Sequence, residues 1–412
     1  MRKPCKALLR NGPLWNMLGS LMYGVNSFVL LMLVSRQAGV EAAGIFGIAF
    51  TNAQMLWIIG IFGASHYQLT DLHEAYPYAA YRWLKVFSSA LMAVATLALG
   101  LIMPMDPAKA QTTVLLSVYM LSHVVSELYQ SRMFQMNRLD LAGQSQFFRT
   151  LIPLLCFAAL QYLGQSLQVA TIGLAASGLI CVWLFGYLPC RPYLGQSRTT
   201  NTAECKSLLL ACLPLFISLL LMNLVIQLPK YVIDRLGSNE MQGIFNMIFM
   251  PAQVINMIAG FIYRPLIHRI SEMLDQRDWQ GFFRLLRSQA LLVIGITAVG
   301  SLCAWFLGAT VLGAFYGVQL QTQQVAITLV IVGGGIFAFD QLMYYVAVIM
   351  RCQRQILINY IVALTVGLLV CIPLVRASGI IGAVIAFMVI HTGLFIGYVI
   401  LILNKRKERK HA

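Results

Sequence analysis

Of the 412 residues, 59% are hydrophobic and only 10% are charged. A soluble domain carries about 25% charged residues to cover its surface, so an ordinary water-soluble fold is excluded and lipid must be the solvent for most of the exterior. The formal charge of +15 would suit nucleic acid as a partner, but the cations fall between apolar runs, where topology and attraction to anionic lipid account for them.

Arg2, Lys3, Lys6 and Arg10 precede an apolar run from Leu14 to Val34. The run is too long for the core of a secretory signal and no small-residue cleavage site follows, so the first helix is expected to be retained. Runs of about 20 apolar residues suffice to cross the hydrocarbon core. They occur at 14–35, 43–64, 83–105, 111–134, 147–163, 168–189, 208–233, 241–263, 288–310, 324–350, 356–374 and 380–403, the shortest being 147–163. The expectation is an all-α integral membrane protein of about twelve transmembrane helices. Two longer segments, 65–82 and 264–287, are amphipathic. In the second, Trp279, Phe282, Phe283, Leu285 and Leu286 alternate with Arg284 and Arg287, as in a helix lying at the inner interface.

Lys and Arg translocate poorly and stay in cytoplasmic loops. With the N-terminus inside, and span ends counted in the neighbouring loop, 24 of the 29 fall on the cytoplasmic side. Lys85, Arg132, Arg149 and Arg351 are counted there, leaving Arg36, Lys109, Lys230, Arg235 and Arg376 outside. The expected location is the cytoplasmic (inner) membrane, multi-pass, with both termini in the cytoplasm. The nine cysteines (5, 156, 181, 190, 205, 212, 303, 352 and 371) have no CxxC or zinc-like spacing and none lies in an external loop. They read as reduced packing residues.

The polar break from Cys190 to Lys206 separates two halves that resemble each other. Pro13-Leu14-Trp15 is echoed by Pro214-Leu215-Phe216, and the stretch Glu41 to Gly44-Ile45-Phe46 by Glu240 to Gly243-Ile244-Phe245. Arg36 and Arg235 sit at matching corners, and Gly173 matches Gly382 more weakly. The expected domains are 1–190 and 207–412, each with six spans, joined by a cytoplasmic linker at 191–206. An even number of spans per half makes the repeat parallel, which permits alternating access by rocking one lobe against the other.

Leu33-Val-Ser-Arg-Gln-Ala-Gly39 through Phe46 resembles the opening of the multidrug/oligosaccharidyl-lipid/polysaccharide (MOP) exporter superfamily. The stretches Leu213-Pro-Leu-Phe, Tyr231-Val-Ile-Asp-Arg-Leu-Gly237 and Arg264-Pro-Leu-Ile are similar to its second half, and the closest likeness is to the polysaccharide branch, the O-antigen and capsule repeat-unit flippases. The resemblance implies a V-shaped pair of six-helix lobes. It also implies a substrate, a polyprenyl-pyrophosphate-linked oligosaccharide turned from the cytoplasmic to the outer leaflet. Membrane lipids would be partners, as would polymerase or glycosyltransferase machinery. Two departures from relatives are visible. Lipid II flippases typically have fourteen helices, whereas about twelve fit here. Cation-coupled drug exporters often carry a carboxylate deep in helix one or seven, where this chain has only Asn26, and Asn223 with Gln227.

A sugar pyrophosphate does not cross hydrocarbon unaided. With an inside-negative potential of about 100 mV, moving two negative charges outward gains roughly 4–5 kcal/mol, so export needs no nucleotide. The sequence contains no GxxxxGK phosphate loop, and no cofactor, metal or enzymatic role is expected. Arg36, Lys230 and Arg235 are candidates to receive the pyrophosphate, against the alternatives of snorkelling to headgroups or pairing with Glu41 and Asp234. Glu127 and Asp340 lie well inside spans four and ten, each about 24 Å from the span's outer end. They read as groups that couple closure of the lobes to protons, as organisers of lumen arginines such as Arg132 and Arg351, or as a static ion pair between helices. His123 and His391 suit interhelical hydrogen bonds better than metal. His66 and His73 form a spacing too common to interpret, and Gly333-Gly334-Gly335 suits close packing. Three alternatives to a flippase stand: a cation-coupled multidrug antiporter, a membrane glycan polymerase or ligase, and an assembly scaffold without transport. The short external loops disfavour the second.

Overall fold

The computed structural model describes residues 11–71, 75–102, 106–196, 199–263 and 266–411. Arg2, Lys3, Cys5, Lys6, Arg10, His73, Arg198 and Arg264 lie outside these described residues. Every long element among them is a helix. Helix α1 (Gly12–Ile61) opens with Pro13 in its first turn and the Asn11 side chain accepting the Leu14 N–H at 3.2 Å, a capped start of the expected kind. It consists of two spans joined at Gly39, whose φ of 86° and ψ of 178° leave helical space. There follow α2 (Ala64–Thr70), α3 (Tyr78–Ile102), α4 (Pro107–Gln135), α5 (Leu139–Tyr162) and α6 (Leu167–Cys181). The last continues through a π turn to Cys190. The second half of the chain holds α7 (Thr202–Leu236), α8 (Asn239–Tyr263), α9 (Leu266–Asp275), α10 (Trp279–Cys303), α11 (Ala309–Tyr316), α12 (Gln324–Ile349) and α13 (Gln353–His411).

Helix α13 is again two spans in one, turned at Gly379 with a φ of 55°. Asn359 donates to the Leu394 carbonyl at 3.1 Å, and Tyr360 meets Tyr398 with ring centroids 6.5 Å apart. Those contacts fold the element back on itself. With α10 and α11 joined by the π turn at Ala304–Gly308 and each glycine corner dividing its helix, twelve membrane-length helices occur among the described residues. The chain is therefore a multi-pass membrane protein of the expected helix number.

The run at 147–163 proves to be the apolar part of a longer helix, α5, of 24 residues. Its first turns carry Asp140, Ser145, Arg149 and Thr150, all buried, so hydropathy hides the length that packing restores. The segment around Trp279 also differs from its expectation. It is not a separate interfacial helix, because residues from Trp279 onward are the first turns of α10, with the Asp278 side chain accepting the Gly281 N–H at 2.8 Å. The separate amphipathic helix is α9, ended where Arg277 takes a left-handed φ of 58°.

By packing, the chain divides into two units, 1–220 and 221–412. The division falls within α7, downstream of the 191–206 segment. The reason is local: Cys205, Leu208 and Cys212 pack with Phe62, Tyr81, Leu84 and Leu128, and Phe216 stacks on Phe62 at 4.4 Å.

Unit 1 is organised by close approach of α1 and α5, where a methyl on Gly143 would collide with the Trp15–Asn16 backbone. In unit 2, α12 is the central helix. Gly333 faces Phe387, Gly334 faces Ala252 and Gly335 faces Thr297, so the glycine triplet brings α13, α8 and α10 against α12. Of the described cysteines, all free, Cys181, Cys190, Cys205, Cys212, Cys352 and Cys371 are buried, Cys156 is half-buried and Cys303 is exposed.

The two units share a device at equivalent places. Helix α4 ends with Asn137 at φ 55° and α12 ends with Arg351 at φ 59°. In each, the next N–H reaches back five residues, from Arg138 to the Met133 carbonyl at 2.8 Å and from Cys352 to the Ala347 carbonyl at 3.0 Å. These are matching Schellman caps. They also supply a register that hydropathy lacks, used below.

Candidate functional site: buried polar clusters in each unit

In unit 1, five helices contribute to one cluster. Glu127 on α4 accepts from Ser65 Oγ on α2 at 2.8 Å, and Ser65 Oγ accepts from Lys85 Nζ on α3 at 3.2 Å. On α5, Arg149 donates to the His123 carbonyl at 3.1 Å. Lys85 is 3% exposed and Arg149 2%, and Glu127 is the carboxylate whose field acts on both. The His123 ring sits 5.6 Å from Tyr23 and 4.7 Å from Tyr119, whose hydroxyl accepts from Asn26 Nδ2 at 3.2 Å. Both His123 ring nitrogens, Asn26 Oδ1 and Arg149 Nε find no protein partner.

Neither Lys85 nor Arg149 belongs to the loops that charge counting assigned them to. The signal was present in α3, where Tyr81, Leu84, Lys85, Ser88 and Met92 are buried while Trp83, Val86, Phe87 and Leu91 face outward. Lys85 lies on the inward stripe at helical spacing. In a membrane helix the outward residues are also apolar, so the stripe is not marked by hydropathy.

At the end of α4, Arg132 is fully buried. It donates to the Tyr193 carbonyl at 3.3 Å and lies 5.6 Å over the Tyr78 ring. Arg138 donates to both oxygens of Asp140, at 3.0 and 2.9 Å, and to the Tyr193 hydroxyl at 2.6 Å. Arg132 and Arg138 thus hold the turn at Arg191–Gln196 from its backbone and side chain. Glu127 takes Ser65 as its partner, and Arg132 is turned to that segment instead.

In unit 2, Asp340 on α12 is 5% exposed, and its Oδ2 lies 2.5 Å from His391 Nδ1 on α13. The interhelical role expected for His391 is therefore its role here, with Asp340 as the partner. Asp340 Oδ1 and His391 Nε2 find no protein partner. The pair opens on a small cavity of about 10 Å³, lined also by Gln341, Tyr344, Tyr360 and Tyr398, with room for about one water. Arg351 is exposed at its cap and takes no part. The Schellman register further separates the two carboxylates. Glu127 precedes Asn137 by ten positions, whereas Asp340 precedes Arg351 by eleven. At about 100° per residue they occupy different faces of their helices, so they are not equivalent side chains.

The three cations that charge counting put outside also part company. Arg36 and Arg235 are exposed. Lys230 is 5% exposed and lies 5.1 Å over the face of Phe249, so it does not snorkel to headgroups.

No family model matches the chain, and no curated protein does. Solved structures do. A multidrug-resistance MATE family transporter of the MOP superfamily, in an inward-facing conformation, matches with a TM-score of 0.69 at 13% identity, over 93% of this chain and 94% of that one. The lipid II flippase MurJ, in an inward closed conformation, matches with a TM-score of 0.67 at 12% identity, over 95% and 89%. A MATE transporter from Vibrio cholerae matches with a TM-score of 0.62 at 15% identity, over 99% and 98%. At such identities the likeness is one of fold. The chain has the all-α fold of MOP superfamily transporters.

Proposed function

We propose that this chain is a flippase that moves a polyprenyl-pyrophosphate-linked oligosaccharide, the repeat unit of a surface polysaccharide, from the cytoplasmic to the outer leaflet. The observation that carries the reading is the excess of buried cations within unit 1. Lys85 and Arg149 are each 3% exposed or less, and among the described residues of their cluster Glu127 is the one carboxylate. Burying a charge is costly unless it is compensated, and an anionic substrate supplies compensation when it binds. Arg36 and Arg235 remain candidates to receive the pyrophosphate at the outer face. The similarity of fold to a lipid II flippase supports a lipid-linked cargo.

The second reading, a cation-coupled multidrug antiporter, is favoured by one observation, the Asp340–His391 pair in its tyrosine-lined cavity. Tyrosine faces and a carboxylate suit an organic cation or a proton.

In cells lacking the protein, intact lipid-linked repeat units are expected to accumulate, shielded from an external lectin or hydrolase. Their normal appearance outside would overturn the flippase reading. Efflux of cationic dyes that is lost in Asp340→Asn would then establish the antiporter.

A further inference from the structure

Helices α7 and α8 are joined by two residues, Gly237 and Ser238. Lys230 lies six positions before the end of α7, and Asn246 seven positions after the start of α8, which puts them level along the pair. The packing agrees, since Val232 and Ile233 share a core with Phe245 and Phe249. On α8, Gln242, Phe245, Asn246 and Phe249 fall at helical spacing on one stripe, and all are buried, Gln242 at 0% and Asn246 at 2% exposure. Lys230 stands over this stripe at Phe249.

The arrangement is unbalanced. Among the described residues no carboxylate ion-pairs with Lys230, Asp234 one turn on included. Its only contact of that kind is the ring of Phe249, and a cation–π contact replaces a fraction of an ammonium's hydration. Gln242 Oε1 and Nε2 and Asn246 Nδ2 also find no protein partner. Buried polar groups in folded proteins are hydrogen-bonded, and a cluster of orphans marks a place where something else binds. The orphaned atoms are two amide donors and the Gln242 carbonyl oxygen, and the Lys230 ammonium stands over the same stripe. The ammonium repels a cation, and together with the amide N–H groups it suits an oxyanion.

We propose that Lys230, Asn246 and Gln242 form an oxyanion site within unit 2 that takes a phosphate or pyrophosphate group. The group is either that of an isoprenoid-linked substrate or that of an anionic lipid headgroup. The inference rests on the reading of the cargo as phosphate-bearing, and it places part of the recognition inside one unit. Lys230 carries the charge, Phe249 walls the ammonium, and the amides orient the oxygens.

The purified full-length protein is placed in phosphatidylcholine nanodiscs. Acylation of Lys230 by an amine reagent is read by mass spectrometry, alongside thermal unfolding, with and without farnesyl pyrophosphate. A second arm replaces part of the lipid with phosphatidylglycerol. The expected result is protection of Lys230 by about tenfold, with a rise in unfolding temperature, at ligand well above its dissociation constant. Protection by farnesyl pyrophosphate alone identifies the isoprenoid source, and equal protection by phosphatidylglycerol identifies the headgroup. Lys230→Met, which removes an unpaired buried charge, is expected to unfold no lower than wild type without ligand and to show no ligand shift. Asn246→Ala is expected to weaken the protection. Protection in neither arm, meaning that water alone fills the site, or an undiminished shift in Lys230→Met, would overturn the proposal. If Lys230→Met does not fold, protection in the wild type decides. A failed lectin assay with intact protection would sink the flippase reading and leave this site standing.

Discussion

Lys85 and Glu127 do not touch. Ser65 stands between them, accepting from one and donating to the other. Lys85 and Arg149 both depend on the Glu127 carboxylate for compensation, so its loss leaves two buried cations facing each other across the cluster. Glu127→Gln is expected to destabilise the protein by about 3 kcal/mol, the scale of an orphaned buried charge. The double variant Glu127→Gln/Lys85→Met removes one of the stranded cations and is expected to recover a good part of the loss. Thermal unfolding of the two variants in detergent measures this. If the double variant is no more stable than the single one, Lys85 is not held by Glu127.

The same cluster marks the limit of what residue types reveal. Glu127 and Asp340 were legible as the carboxylates deep in spans, and the sequence placed them correctly in α4 and α12. Their partners were not legible. Ser65 is an ordinary serine at the start of a short helix, Lys85 reads as a loop cation because it stands at the edge of an apolar run, and His391 is 51 residues from Asp340. Pairing across helices depends on which face each side chain occupies, and helix faces are blurred where lipid makes the outside as apolar as the inside.

Among the elements, the twelve spans followed from hydrophobic run length, whereas the corners at Gly39 and Gly379 were not read from the sequence. Errors occurred where polar residues point inward, at the start of α5, and where an interfacial sequence runs straight into a span, at α10. The corner of α13 offers a direct test of local geometry. Gly379 has φ 55° and ψ −124°, a region that side chains rarely adopt, and alanine there costs about 1–3 kcal/mol of backbone strain; nearby, its methyl would meet only Met241 at 3.4 Å. Gly382 is different, since a methyl would run into the Leu374 carbonyl, a backbone atom that cannot rotate aside. Gly382→Ala is therefore expected to lower the unfolding temperature further than Gly379→Ala. The reverse order would mean that the turn, and not the close approach after it, fixes the hairpin.

For the whole molecule, the distribution of Lys and Arg predicts an orientation with both termini cytoplasmic. It is testable at the corners. Arg36→Cys beside the first glycine corner is expected to react with a membrane-impermeant maleimide from outside intact cells. Arg351→Cys, exposed at its cap, is expected to react only after the inner face is opened. Cys303, which is exposed, and half-buried Cys156 are replaced by serine first, and the buried native thiols contribute little background, because maleimide needs an accessible thiolate. Equal labelling of both positions from one side would contradict the alternation.

Gly39 and Gly379 each join two membrane spans through a single residue. Such a junction leaves no slack. A reporter or epitope inserted there would have to be accommodated within helical backbone on both sides. At these two corners, fusion-based mapping would report a broken protein rather than a side of the membrane, and a surface antibody would find almost nothing to grip. At these points the chain is nearly featureless to anything larger than a small reagent.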